Sequence, residues 1–249
     1  MKISSPSSSD PQERLELVLS QVHDACIRAR RPPGTVELVA VSKTHPPETV
    51  AALAAAGQEC FGESRVQEAR AKIPLCPGRI RWHFIGHPQT NKLRQALPLF
   101  ELFHGIDSTD LARQADRVAA ELGLHPRVLL QVNVAGEASK FGFSPAALDS
   151  ALEELLALPR LQIEGLMTLP PPAADPERVR PYFAALRELR DRIAQTHGVQ
   201  LPHLSMGMSG DFPVAIEEGA TLVRVGTALF GARSGSTWKP GPDAQPPGD

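Results

Sequence analysis

The sequence predicts an α/β protein, a single (β/α)8 TIM barrel preceded by an extra N-terminal helix. β-rich runs alternate with helical runs along the 249 residues, eight β-rich runs can be counted, and no break in composition divides them into two domains. Strict alternation indicates a parallel sheet, and eight strands in one chain of this length indicate that the sheet closes. The alternative is an open, doubly wound sheet. That sheet would require a glycine-rich turn after the first strand, and residues 42–47 contain no glycine.

Both ends of the chain are expected to lack fixed structure, which leaves residues 10–232 for the barrel. Residues 1–9 are a Ser/Pro segment of low complexity, and residues 233–249 are rich in glycine and proline. Asp10 and Pro11 are typical of the N-cap and first turn of a helix. The apolar positions of that helix include Leu15, Val18, Leu19, Val22 and Cys26.

The eight predicted strands are short runs rich in β-branched, aromatic and other apolar residues. They are residues 38–43, 59–62, 81–86, 102–106, 127–134, 162–168, 203–208 and 221–225. Several of the helices predicted between them begin at a proline or at a hydroxyl-bearing cap. They are residues 46–56, 64–72, 89–97, 109–122, 145–157, 181–194 and 213–218.

Composition excludes several classes of function. A net charge of -2 offers no electrostatic footprint for nucleic acid. The N-terminus lacks the apolar region of a secretory signal and no stretch approaches membrane-spanning length, so we expect a cytoplasmic protein with no membrane partner. Cys26, Cys60 and Cys76 are odd in number and widely spaced, which favours reduced packing thiols over disulfides or a zinc site.

Lys43 ends a run, residues 36–43, that otherwise has the pattern of one buried parallel strand. Burial would lower the pKa of its ammonium group, and the free amine would then attack an aldehyde. The alternative is a strand-end lysine whose ammonium group reaches solvent. This segment alone leaves both interpretations open.

Polar residues at the carboxyl ends of the strands should converge on one face, because barrels of this kind place their sites there. Phosphate groups are commonly held by the loops after the seventh and eighth strands, which here supply Ser209, Gly226 and Thr227. Arg224 lies on the last strand and points either into the barrel mouth or towards a carboxylate in the helix layer. A lysine for an aldehyde, a phosphate cup and an arginine donor together indicate pyridoxal 5'-phosphate.

The chain resembles the YggS/PROSC family of pyridoxal phosphate homeostasis proteins, whose barrel is similar to the N-terminal domain of alanine racemase. The stretches that carry the resemblance are residues 39–43, 61–68, 82–87, 165–168, 204–209 and 223–231. The resemblance implies that Lys43 forms the aldimine, that Ser209 with the backbone of Gly226 and Thr227 holds the phosphate, and that Arg224 faces the pyridine nitrogen. Two residues depart from the family pattern: Ser64 replaces the usual asparagine, and Pro88 replaces the usual leucine.

Three further residues are candidates for contacts with the cofactor. Ser64 and Met167 come at the ends of the second and sixth predicted strands. His83 would lie under the cofactor ring or form hydrogen bonds within the barrel mouth, and the sequence does not separate these. His83 and His87 have a metal-ligand spacing for a helix, but the segment has a strand pattern, so we predict no metal site.

The sequence also bears on whether the protein turns a substrate over. A racemase needs a second base opposite the lysine, which in the resembled enzymes is a tyrosine from an added C-terminal domain. Here the single tyrosine, Tyr182, falls in the helix before the seventh strand, and the chain continues after Gly231 only as the predicted tail. An arginine opposite the pyridine nitrogen would leave the ring a weak electron sink.

We therefore expect a monomeric protein that holds the cofactor and delivers it to apo-enzymes, with no robust turnover. A pyridoxal phosphate-dependent racemase or a Schiff-base aldolase is the alternative.

Overall fold

A computed structural model describes residues 10–137, 140–231 and 238. Eight strands form a closed barrel in the order β1 to β8, and β8 pairs in parallel with β1. The predicted (β/α)8 fold is confirmed. The strands are β1 Glu37–Val41, β2 Cys60–Glu63, β3 Arg81–Phe84, β4 Leu102–Ile106, β5 Arg127–Gln131, β6 Gln162–Met167, β7 His203–Met208 and β8 Leu222–Val225.

The helices follow the strands in the alternation that the sequence predicts. They are α1 Pro11–Arg28, α2 Pro47–Ala55, α3 Val66–Lys72, α4 Leu93–Ala96, α5 Thr109–Leu122, α6 Pro145–Leu156, α7 Arg180–His197, α8 Phe212–Glu217 and α9 Thr227–Phe230, with short 3-10 helices at Ile73–Leu75, Thr90–Lys92 and Pro176–Val179. The predicted helix 89–97 is wrong in type over its first half, which forms a 3-10 turn before the single turn of α4. The short helix α9 was not predicted.

Local capping explains where the longer helices begin. The Asp10 side chain accepts a hydrogen bond from the Gln12 N–H at 2.9 Å, and Ser108 does the same for the Leu111 N–H at 3.2 Å. α1 packs against α8 and α9, so the extra N-terminal helix lies beside the last βα unit. Leu19 was predicted on its buried side, but the residue is 45% exposed.

The core has two parts. A large apolar layer lies between the strands and the helices, and a smaller cluster comprises Val39, Cys60, Leu102, Leu129, Met167 and Leu222, one residue from each of six strands. Within the described residues, no helix is long and apolar enough to cross a bilayer.

The two predicted structureless ends fall largely outside the described residues. Residues 1–9 lie outside them, as does the predicted tail 233–249 except for Trp238. The Trp238 N–H donates to the Thr44 carbonyl oxygen at 3.0 Å, and its ring centroid lies 5.4 Å from Lys72 Nζ. This one residue of the predicted tail therefore contacts the barrel.

Candidate cofactor-binding site

The loops after β7 and β8 meet at one mouth of the barrel, as predicted. Ser209 Oγ accepts a hydrogen bond from the Gly226 N–H at 3.2 Å, and Thr227 follows as an exposed residue that begins α9. A Cβ atom on Gly226 would lie 3.4 Å from Val41 Cβ, so β1 closes one side of this loop. The Met208 N–H donates to Asp211 Oδ1 at 2.6 Å and so fixes the turn that carries Ser209. The arrangement offers a hydroxyl and backbone N–H groups at one point.

Arg224 points into the barrel, which decides the question that the sequence left open. The residue is 4% exposed, its Nη2 donates to the Thr168 carbonyl oxygen at 2.9 Å, and its Nη1 donates to Ser205 Oγ. Burial lowers the pKa of the guanidinium to about 10, which still leaves it protonated at neutral pH. A fixed positive charge therefore lies on the strand that leads into Gly226.

A chain of polar groups continues from Arg224 through the barrel interior. His104 Nδ1 lies 2.7 Å from Ser205 Oγ, and His104 Nε2 lies 3.1 Å from His83 Nδ1. His83 is therefore a buried interior residue that hydrogen-bonds to another histidine. Met167 is buried in the interior apolar cluster, so neither residue is exposed at the mouth.

Both interior histidines should make stability depend on pH. Burial lowers the pKa of His83 to about 3 and lowers the pKa of His104 well below 6.5. Both rings are thus neutral in the fold but take up protons in the unfolded chain below about pH 6.5. Their contribution to stability is full above pH 6.5 and is lost as the pH falls below that value; for His83 the loss is about 1.4 kcal/mol per pH unit and continues towards pH 3.

Denaturation measured between pH 7 and pH 5 checks this expectation. The unfolding free energy should change less steeply with pH in His104→Gln than in the unaltered protein, and the difference in slope should correspond to about one bound proton. The slope should stay unchanged in His23→Gln, whose ring is exposed. Equal slopes in the two variants would contradict it.

Lys43 is exposed, which agrees with the second of the two interpretations that the sequence left open, a strand-end lysine that reaches solvent, and not with a buried amine. β1 ends at Val41, Ser42 is buried, and Lys43 lies in the turn that follows. The strand ends early because Thr44 adopts a left-handed backbone with φ of 71°, which is unfavourable for a β-branched residue. Thr44 is fixed at both peptide groups, since its N–H donates to Glu68 Oε1 at 2.6 Å and its carbonyl accepts from Trp238.

A buried ion cluster of Lys72, Glu63 and Glu68 lies behind this turn, and the sequence analysis missed it. Lys72 Nζ donates to Glu63 Oε1 and Glu68 Oε1 at 2.7 Å each and to the Ser42 carbonyl oxygen at 2.9 Å. The side chains of Lys72 and Glu63 have no exposed surface. The cluster therefore holds both residues that flank Lys43, Ser42 through its carbonyl and Thr44 through its N–H.

Burial of the Glu63 carboxylate is the electrostatically unfavourable part of this cluster. Burial raises the pKa of its carboxyl group, against the opposing effect of Lys72, and its Oε2 has no hydrogen-bond partner among the described residues. One local signal pointed to the cluster. Glu68 and Lys72 are four residues apart on α3, a spacing that brings opposite charges together.

Ser64 and the two histidines of the β3 segment complete the predicted set. Ser64 is half-buried after β2, and a Cβ atom on Gly86 would lie 2.6 Å from its carbonyl oxygen, so the loops after β2 and β3 pack backbone to backbone. His87 Nδ1 lies 2.6 Å from Asp107 Oδ2, and its ring stacks on Phe141. His83 and His87 have separate surroundings, so they form no common site.

Comparison with known proteins identifies the family. A family model for the alanine racemase N-terminal domain matches residues 25–234. A relative from Aquifex aeolicus, named pyridoxal phosphate homeostasis protein, is 46% identical over 222 residues, which are 89% of this chain and 97% of the relative. The chain belongs to the pyridoxal phosphate homeostasis protein family. The Escherichia coli K12 member of this family is 40% identical over 232 residues, 90% of this chain and 97% of the relative.

Solved structures agree with the family and the fold. PipY of Synechococcus elongatus, solved with PLP bound, is 40% identical, has a TM-score of 0.79, and is matched over 89% of this chain and 100% of PipY. Alanine racemase of Clostridium difficile is 16% identical with a TM-score of 0.70, covering 93% of this chain and 59% of the racemase. At that identity the racemase shows the shared barrel alone.

Proposed function

We propose that this member of the pyridoxal phosphate homeostasis protein family binds pyridoxal 5'-phosphate through Lys43 and stores or delivers it without robust turnover. The observation that carries the proposal is the convergence at one barrel mouth of the Ser209–Gly226 contact, the buried Arg224 and the turn that presents Lys43. A relative of known structure that is 40% identical has PLP bound.

The residues present fit the cofactor group by group. Ser209 and the N–H groups of Gly226 and Thr227 suit a phosphate, because hydroxyls and backbone N–H groups are its usual neutral donors. Arg224 offers a protonated guanidinium to the ring nitrogen. The cofactor supplies an aldehyde, with which a lysine amine condenses with loss of one water molecule.

Lys43 is exposed, and this exposure bears on the source of its reactivity. Its reactivity does not come from burial in an apolar core. It comes from position, because the buried ion cluster and the Trp238 contact fix the turn at Ser42 and Thr44 and so present the lysine beside the Gly226 loop. A preset turn lowers the entropy cost of condensation.

The absence of robust turnover is part of the proposal, and two features support it. Tyr182, the one tyrosine of the chain, lies half-buried on α7 in the helix layer. It is therefore not placed at the mouth as a second base. Arg224 remains protonated, so it offers the ring nitrogen a hydrogen bond and no acidic proton.

We further propose that the protein works as a monomer in the cytoplasm and that apo-enzymes dependent on the cofactor are its recipients. The relatives from Aquifex aeolicus and Escherichia coli are named for pyridoxal phosphate homeostasis, which supports a role in supplying the cofactor. Light scattering of the purified protein tests the monomer.

Borohydride reduction of the protein loaded with pyridoxal phosphate tests the proposed attachment. Digestion and mass spectrometry should place the reduced adduct on the peptide that contains Lys43. An adduct on a different side chain, or none, would overturn the proposal.

Amino-acid racemisation or cleavage of a phosphorylated sugar at enzymatic rates would favour the racemase or aldolase instead. Transfer of bound cofactor to an apo-enzyme would support delivery.

A further inference from the structure

A second group of chemically reactive side chains lies on the neighbouring strands β1, β2 and β3. Glu37, Cys60 and His83 each offer one ligand atom, and the three atoms lie within 4.8 Å of one another. Cys60 and His83 are buried, and Glu37 is half-buried. Three such points have a common centre within 4.8/√3, about 2.8 Å, of each atom.

We propose that Glu37, Cys60 and His83 bind a divalent cation of the zinc type between β1, β2 and β3. Zinc accepts thiolate, imidazole and carboxylate ligands together, at about 2.0–2.3 Å. Each ligand atom would move inwards by about 0.5–0.8 Å to reach those distances, which small side-chain rotations allow. Three protein ligands leave a fourth position for water.

Ion pairs border this group, and their charges nearly cancel. Arg81 pairs with Glu37, and Arg127 pairs with Glu101 at 2.6 Å and with Glu164 at 2.8 Å. These three carboxylates and two guanidiniums leave one negative charge in excess. Arg81 donates to Oε1 of Glu37, so the second carboxylate oxygen remains for a metal.

The imidazole is prepared for coordination. The His83 ring is oriented by the contact of its Nδ1 with His104 Nε2 at 3.1 Å. Metal-binding histidines commonly have such an outer partner. Cys60 is a free cysteine and supplies the sulfur ligand. As the sulfur–metal bond forms, the S–H bond breaks and one proton passes to solvent.

The sequence analysis predicted no metal site because these residues show no local ligand motif. They are spaced by 23 residues, as 60 − 37 and 83 − 60 show, so each comes from a successive βα unit. Only the parallel pairing of β1 with β2 and of β2 with β3 brings them together. The three proposed ligands are not the residues of the barrel mouth, so the metal site does not depend on the proposed function. Of the three, His83 is the one that the sequence also offered as a cofactor contact.

Titration of the full chain, loaded with pyridoxal phosphate, with Co²⁺ tests the site. We expect one equivalent to bind and to produce thiolate-to-cobalt absorption in the near ultraviolet. Cys60→Ser should weaken binding at least 100-fold and remove that absorption, while its far-ultraviolet circular dichroism stays unchanged and reports on folding. Cys76→Ser, at a half-buried cysteine outside the cluster, is the matched control and should bind as the unaltered protein does.

Absorption that persists in Cys60→Ser, that disappears in Cys76→Ser, or that never forms would overturn the site. X-ray absorption of the zinc-loaded unaltered protein keeps the test decisive if Cys60→Ser does not fold. One sulfur among nitrogen and oxygen ligands is expected, and a shell without sulfur would refute the proposal.

Discussion

Replacing Lys43 by arginine is expected to abolish covalent retention of pyridoxal phosphate at residue 43 while the barrel stays folded. A guanidinium remains protonated at any physiological pH and does not condense with an aldehyde, although it keeps the positive charge. Because Lys43 is exposed in a turn, the substitution should change the free energy of unfolding by no more than about 0.5 kcal/mol. The expected loss is therefore chemical.

The measurement is the amount of cofactor that survives borohydride reduction followed by exhaustive dialysis. We expect a fall from nearly one cofactor per chain to background in Lys43→Arg. Lys92→Arg, at a half-buried lysine in the 3-10 helix Thr90–Lys92, is the matched control and should retain full loading. Undiminished loading of Lys43→Arg would show that a different amine forms the attachment.

The sequence could predict that Lys43 lies at the end of the first strand but not how exposed its side chain is. Its position follows from the apolar run of β1, which any strand pattern reveals. Its exposure depends on a turn in which Thr44 adopts a left-handed backbone, and the contacts that hold that backbone come from α3 and from Trp238. No local pattern in residues 36–43 contains that information.

The other residues of the site also divide into those whose placement the sequence predicts and those whose placement it does not. The meeting of Ser209 with Gly226 was predictable, because the topology of a closed barrel brings the last two strand ends together. The direction of Arg224 was not, since a single charged residue in an apolar strand fits either face until the register is known. Lys72 and Glu63 were missed because charged residues are normally exposed, and their burial results from mutual pairing across β2 and α3.

Replacing Lys72 by methionine is expected to destabilise the protein by about 3–5 kcal/mol, because it leaves Glu63 and Glu68 buried without their cation. Lys92→Met makes the same chemical change at a half-buried lysine and should cost less than about 1 kcal/mol. Urea denaturation of both variants measures the difference. Loss of the Lys72 hydrogen bond to the Ser42 carbonyl should also loosen the turn that presents Lys43, so bound cofactor should dissociate faster.

The pH dependence of this destabilisation separates an electrostatic cause from lost packing. A carboxyl group whose pKa is raised by the fold, as that of Glu63 is, contributes its full stability below its ordinary value of 4.5 and loses it as the pH rises through the raised value. Removing Lys72 raises that pKa further, so the gap in stability between the unaltered protein and Lys72→Met should narrow as the pH falls from 7 towards 4.5. Adding Glu63→Gln to Lys72→Met should recover part of the loss at pH 7, since a neutral amide replaces the uncompensated carboxylate. A gap that stays constant with pH, with no recovery in the double variant, would mean that Lys72 acts through its aliphatic chain and not through its charge.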